Sequence, residues 1–232
     1  MSENPFATVT DATSVSRRDL VTGTVGLIIA GVSGAASAAS ETRGRSPLGT
    51  QAGVIGLGFM AQVDQVGPAL AVYGYLTLVN GLSLEQLYLP GPERSEATAR
   101  FTFYGTASVD SLQSHDTLRV ANATGRFEYF MRDFGGASFD SADSFAQGQL
   151  IATDDASMQN VLNVTAPDTA VTTVYADLMR TTVNAFDVDG HRYQLGRMGL
   201  RSRLEASGKG VRTEPATPTA VLVISGNITN PT

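Results

Sequence analysis

The sequence has 232 residues, no cysteine and a formal net charge of −6 at pH 7. Without cysteine there are no disulfides, no thiol chemistry and no thiolate metal sites, so burial and hydrogen bonding alone must hold the fold. The acidic balance argues against binding to nucleic acid or to an anionic membrane surface, because both reward clustered Lys and Arg.

Residues 1–38 have the three parts of an export signal in the required order. A polar segment ends in two arginines, a moderately apolar stretch follows, and small residues stand at the two positions that a signal peptidase reads. The pattern resembles the bacterial twin-arginine signal peptide, with leucine where phenylalanine is commonest. The residues that carry this resemblance are Arg17, Arg18, Leu20, Ala36 and Ala38.

The resemblance implies export to the periplasm or the outside of the cell. Its implied partners are the twin-arginine translocation machinery and a signal peptidase. We expect no stable membrane anchoring after cleavage, because no apolar run of membrane-spanning length follows residue 40. An uncleaved signal helix is the alternative, since Leu20–Ala39 would just span about 30 Å, although its second half is only Gly, Ser and Ala.

Beyond the signal, we expect a flexible linker over residues 39–52 and a single β domain over residues 53–232. The linker is small and polar. The domain carries about nine or ten strand candidates, spaced at the roughly 8–12 residues typical of sandwiches and barrels. An antiparallel β-barrel of about eight to ten strands is the first expectation because closure leaves no long edge exposed. A β-sandwich is the alternative.

Strand candidates are recognised by an apolar residue at every second position. Phe101 and Phe103 share one face of the first clear example, while Thr102 lies on the other. The same alternation covers Arg126–Arg132 and His191–Leu195. Each of these segments is therefore predicted to be a half-buried strand.

Turn residues separate the predicted strands. Asp189-Gly190 is the strongest hairpin signal, because a type I′ turn needs positive φ at both central residues. Ala166-Pro167-Asp168 ends one apolar run before the next begins. Asn122–Gly125 is interpreted as a turn between the apolar residues 118–121 and 127–131.

The segment Gly56–Ala61 resembles the phosphate-binding fingerprint of dinucleotide-binding proteins. That fingerprint requires a following helix and an acidic residue at the end of a second strand. Here Gly67-Pro68 falls where the helix should continue, and the next apolar segment ends in Asn80-Gly81. We therefore predict no cofactor and interpret the glycines as part of a strand or a flexible segment.

The remaining candidate ligands are two histidines and a group of carboxylates. His115 and His191 lack the spacing of a zinc site and are expected in an exposed turn and a strand. Calcium would suit acidic loops, but the spacing matches no EF-hand, so no metal is predicted. The carboxylates are Asp133, Asp140, Asp143, Asp154 and Asp155.

In the predicted domain, Thr124-Gly125-Arg126-Phe127 lies between two apolar runs. It resembles the Thr-Gly-x-Phe hairpin of the allene oxide cyclase and dirigent group of barrels. This resemblance implies a small eight-stranded barrel that holds an apolar ligand. The glycine expected a few positions later in that pattern is absent, so no residue role is transferred.

Two classes of function stay open at this point. The first is a non-catalytic exported domain that binds a small apolar ligand inside a barrel, or a partner on its surface. The second is a barrel enzyme of the cyclase or isomerase kind, which would need only one or two polar residues in an apolar cavity. An open-mouthed cavity lined by charged groups such as Glu128 or Arg132 would favour the enzyme, whereas a filled interior would exclude both the enzyme and a ligand inside the barrel and leave a structural or surface role. A structural or surface-interaction role is the third reading.

Overall fold

The structure is a computed structural model that describes residues 46–214 and 219–231. Almost all of the regular structure in these ranges is β. The strands are β1 (Ser46–Leu48), β2 (Ile55–Val66), β3 (Ala69–Val79), β4 (Phe101–His115), β5 (Leu118–Met131), β6 (Gln149–Ala166), β7 (Thr169–Val183), β8 (Ala185–Val188), β9 (His191–Leu195), β10 (Arg201–Glu214) and β11 (Thr219–Thr229). A short helix α1 (Leu84–Leu87) and a 3₁₀ helix (Ala142–Ala146) accompany them.

Eight of these strands form a closed barrel in the order β10-β11-β2-β3-β4-β5-β6-β7. Every neighbouring pair of barrel strands is antiparallel, and β10 closes the ring against β7. The prediction of an antiparallel barrel is therefore confirmed over the sandwich alternative. Closure satisfies the backbone donors and acceptors that an open sheet would leave along its two edges.

One end of the barrel is capped, and we call it the closed end. The hairpin β8–β9 leaves the barrel after β7, and β1 pairs in parallel with β9 to make a three-stranded sheet. Phe186 of this cap contacts Phe101 of the barrel with ring centroids 5.7 Å apart. Leu48 and Leu195 are also buried, so the cap belongs to the hydrophobic core.

The barrel interior is filled by side chains that alternate along each strand. Residues paired directly across antiparallel strands share one face, so the register places Phe59, Phe103 and Tyr129 on the inner face together. Phe59 and Phe103 meet edge to face with centroids 5.7 Å apart, and Phe103 lies 6.1 Å from Tyr129. The predicted alternation of Arg126–Arg132 is confirmed by the inward Phe127 and Tyr129.

Glycines on the inner face let neighbouring strands approach closely as the sheet curves. A Cβ atom added at Gly74 would lie 2.0 Å from the Met60 carbonyl oxygen, and one added at Gly208 would lie 1.9 Å from that of Val223. Glycine within a strand commonly marks such a bend or close backbone approach. These positions therefore explain part of the high glycine content.

The turns agree with the sequence at two places and differ at a third. Asp189-Gly190 joins β8 to β9 with φ of 51° and 79°, which confirms the hairpin prediction. Ala166 and Thr169 close the β6–β7 hairpin as expected. The turn predicted at Asn122–Gly125 is wrong, because this segment runs uninterrupted through β5. Gly125 is needed there because a Cβ would lie 2.4 Å from the Thr106 carbonyl oxygen.

The predicted signal residues Arg17, Arg18, Leu20, Ala36 and Ala38 lie outside the described residues. The first described strand, β1, falls within the segment expected to be a linker, and its Leu48 is buried. Part of that segment, Ser46–Leu48, therefore forms a strand of the cap. Across the described part of the chain, no helix has the length and apolar character needed to span a membrane.

Candidate functional site

The end of the barrel opposite the cap is its mouth. The hairpin turns between β2 and β3, β4 and β5, and β6 and β7 all lie at this end. The mouth is oblique, since the β3–β4 pairing stops at Ala69 and Ser108 while β4 continues to His115. Strands β4 to β7 therefore rise above the β2–β3 side and expose their inner surface.

We call this exposed inner surface the mouth wall. Its members face the barrel axis, because the register pairs Leu112 with Ala121 and Ala121 with Asn160. Leu112 is 63 % exposed although it faces inward, and the other members are only half-buried. The mouth wall consists of Leu112, Arg119, Ala121, Asn160 and Leu162.

The floor beneath the mouth wall is packed. The inward residues Ala123, Met158 and Ile224 are buried in the hydrophobic core, and Val109 packs against it while partly buried. Asn160 and Arg119 are the polar members of the wall, and the Asn160 side-chain oxygen accepts a hydrogen bond from the buried Thr172 hydroxyl. The mouth wall thus combines accessible apolar side chains with a few polar groups, which is the usual composition of a small-molecule site.

A buried ion pair lies inside the barrel near the closed end. The Arg180 guanidinium donates to both carboxylate oxygens of Asp154, over 2.5 and 3.0 Å, and also to the Leu195 carbonyl oxygen over 2.6 Å. The guanidinium carbon lies 4.9 Å from the Tyr129 ring centroid. Burial, and secondly the charge of Asp154, raise the pKa of Tyr129 well above its usual range, so its hydroxyl keeps its proton.

This cluster is sealed from solvent. Tyr129 and Asp154 are each 2 % exposed. The neighbouring cavity, lined by Arg180, Ser202 and Asn230 among others, measures about 10 Å³. That is the space of about one water molecule. The cluster ties the cap to the barrel through the Leu195 carbonyl, and no substrate-sized molecule fits beside it.

The two charged residues named as cavity markers lie elsewhere. Glu128 faces outward, paired with Tyr104 and Thr153 on the outer face. Arg132 is buried, but its guanidinium donates to the carbonyl oxygens of Phe134, Gly135 and Ser144. It therefore fixes the loop that follows β5 and does not line a cavity.

The histidines and carboxylates are dispersed. His115 ends β4 at the mouth, whereas His191 begins β9 at the closed end, and both are exposed. Asp154 faces inward, Asp155 faces outward, and the other three acids lie on the segment between β5 and β6. Within residues 46–214 and 219–231, no three His, Asp or Glu side chains come together as a metal site.

The two family-like motifs both lie in barrel strands. Gly56–Ala61 runs through β2, where a dinucleotide fingerprint would have a loop that leads into a helix. Thr124–Phe127 lies in the middle of β5, away from the hairpin in which the resemblance would place it. Neither segment forms a phosphate-binding loop or a hairpin turn.

Sequence reasoning missed both the mouth wall and the buried ion pair. Leu112 lies in the polar run Asp110–His115, and nothing near it in the chain marks it as inward-facing. Arg180 lies 26 residues from Asp154. An arginine at an apolar-phase position of the alternating segment 174–180 was the signal that would have found it.

The chain matches no protein-family model, no curated protein and no solved structure.

Proposed function

We propose that this chain is an exported protein that binds a small apolar ligand in the mouth of its barrel. The observation that carries the proposal is the 63 % exposure of Leu112, an apolar side chain on the inner face. An inward leucine left open to water gains free energy when a ligand covers it, at about 25 cal/mol per Å² of apolar area removed from water. Export rests on the signal pattern around Arg17 and Arg18.

The proposed ligand occupies the mouth because the interior is already filled. Phe59, Phe103 and Tyr129 pack against one another across the lower barrel. A deep ligand chamber would require these rings to move out of a close-packed core, which is costly. The mouth wall needs no such rearrangement.

A barrel enzyme is less well supported than a binding protein. Catalysis in an apolar site needs a polar group within reach of the bound substrate. The charged pair of the interior, Asp154 and Arg180, is buried and hydrogen-bonded to itself and to the cap. The exposed apolar side chains of the mouth wall therefore favour binding over catalysis.

Binding of the uncharged fluorescent probe N-phenyl-1-naphthylamine to the exported protein tests the proposal. We expect saturable binding, and Leu112→Asp should raise the Kd about tenfold or more, because a carboxylate on the wall must lose water when the probe covers it. Leu118→Asp is the matched control, since Leu118 is 43 % exposed next to the same hairpin turn but faces outward. It should leave the Kd unchanged.

Two results would overturn the proposal. One is the absence of saturable binding by the wild-type protein. The other is an equal loss of binding in both aspartate variants, which would place the probe on the outer surface. Native mass spectrometry of the protein recovered after export would identify the ligand that it carries.

A further inference from the structure

The mouth wall carries one cation, Arg119. The register pairs Arg119 with Ser114 and Leu162, one row above the row formed by Leu112, Ala121 and Asn160. Two residues along a strand span about 6–7 Å. The row that contains Arg119 therefore forms the lip of the mouth. The row of Leu112, Ala121 and Asn160 lies between this lip and the packed floor.

No carboxylate neutralises Arg119 among the described residues. Its Nη1 donates to the backbone carbonyl oxygens of Asp116 and Leu118, over 2.5 and 2.9 Å, and both acceptors are neutral. None of the ion pairs within the described ranges includes Arg119. The nearby Asp110 side chain faces outward, where it accepts from the Thr124 hydroxyl over 3.4 Å.

We propose that the ligand of the mouth is an anionic amphiphile. This inference rests on the proposed function of the mouth. The apolar body covers Leu112, Ala121 and Leu162, and the anionic head at the lip accepts hydrogen bonds from Arg119. A guanidinium presents a planar set of donors that matches a carboxylate, and it stays charged at every physiological pH.

The negative net charge of the chain means that Arg119 would have to attract an anionic ligand through short-range contacts. A protein with a net charge of −6 repels anions at long range, so an anionic ligand gains nothing from the field of the whole molecule. Selectivity for an anionic head must come from short-range contacts at the lip. Those contacts are also shielded less by salt than a diffuse surface field, because the apolar wall excludes water from one side.

The competing explanation is purely structural. Arg119 bonds the turn that joins β4 to β5, so it also stabilises that hairpin. A structural role predicts that removing the guanidinium changes stability and weakens all ligands alike. A recognition role predicts a loss confined to charged ligands. The two roles are therefore separated by comparing a charged ligand with its neutral analogue.

The experiment is a competition between the bound neutral probe and a matched pair of ligands, laurate and methyl laurate, both below their aggregation limits. Arg119→Gln should weaken laurate about tenfold, the loss of one charge-assisted hydrogen bond, and leave methyl laurate unchanged. Arg126→Gln is the control, because Arg126 lies on the same strand but faces outward and is exposed. It should change neither affinity.

Each other outcome has a distinct meaning. If laurate and methyl laurate compete equally well and Arg119→Gln affects neither, the anionic-head inference fails and the apolar mouth stands. If Arg119→Gln weakens both ligands and lowers the Tm, the arginine is structural and the inference fails. If the neutral probe itself does not bind the wild-type protein, the proposed function fails before the inference is reached.

Discussion

At the level of single residues, the buried pair Asp154 and Arg180 is expected to affect the stability of the protein strongly. Their carboxylate and guanidinium are almost fully buried and bonded to each other, and removing one partner leaves an uncompensated charge in the core. We expect Arg180→Met to lower the free energy of unfolding by about 3–5 kcal/mol, measured by urea denaturation. The double variant Asp154→Leu with Arg180→Met should recover much of that loss.

A surface ion pair supplies the control for this prediction. Arg203 and Asp177 lie on the outer face with a closest approach of 3.3 Å, and both side chains are more than half exposed. Arg203→Met should therefore cost less than about 1 kcal/mol. Equal effects of the two Arg→Met substitutions would show that the buried pair contributes no more than a solvated one.

The prediction of one carboxylate group placed Asp154 and Asp155 together, although the two differ in phase. Asp154 shares the phase of the apolar Ala152 and Ala156, whereas Asp155 falls among the polar residues of β6. In the structure, Asp154 lies on the inner face of β6 together with Ala152 and Ala156. It is paired there with Arg180 of β7. The pairing of β6 with β7 is what brings Arg180 within hydrogen-bonding distance of Asp154.

At the scale of whole elements, inward glycines decide how tightly neighbouring strands pack. At Gly74 a Cβ would lie 2.0 Å from one backbone oxygen and 2.7 Å from the Ala61 Cα, so β2 and β3 must separate to admit it. We expect Gly74→Ala to lower the free energy of unfolding by about 2–4 kcal/mol, measured by thermal or urea denaturation.

Gly91 provides the comparison, because a Cβ there meets nothing within 4 Å and its φ is not in the positive region. Gly91→Ala should change stability by less than about 0.5 kcal/mol. Were Gly74→Ala equally harmless, the close approach of β2 and β3 would not constrain the barrel.

Element boundaries were predicted well where alternation and turn chemistry agree, and poorly where glycine occurs inside a strand. The hairpin at Asp189-Gly190 was predictable because both residues tolerate positive φ. Asn122–Gly125 has the composition of a turn, yet it continues β5. On the outer face, the Asn122 side chain donates to Ser111 and accepts from Gln159, while Gly125 faces a neighbouring strand.

At the scale of the whole molecule, export is the property that the N-terminal pattern predicts. Replacing Arg17 and Arg18 by lysine should retain the precursor in the cytoplasm, because the twin-arginine route depends on that pair. The exported wild-type protein should begin at Ala39. Cell fractionation and the intact mass of the exported protein measure both outcomes.

The matched control places lysine at Arg43 and Arg45, which lie beyond the expected cleavage site. This variant should be exported and processed like the wild type. Normal export of the Arg17→Lys, Arg18→Lys variant would contradict the twin-arginine assignment.

The fold class follows from local features of the sequence. Period-two alternation and turn residues are local properties that can be read from the chain. When there are enough strands, closure of the sheet into a barrel removes both exposed edges. The sequence also excluded thiol chemistry, because that requires only the absence of one residue type. The wall that we propose as a ligand site was not accessible in this way.

The polar and apolar groups that meet in the mouth and the core depend on how the strands pair in the closed barrel. Leu112, Arg119 and Leu162 come from three strands, and their shared inner face depends on a register shift between Val109 and Ser111 and on the height of β4 relative to β3. The same is true of Asp154 and Arg180. Register is a long-range property of paired strands, so a site made across them appears only once the barrel is closed.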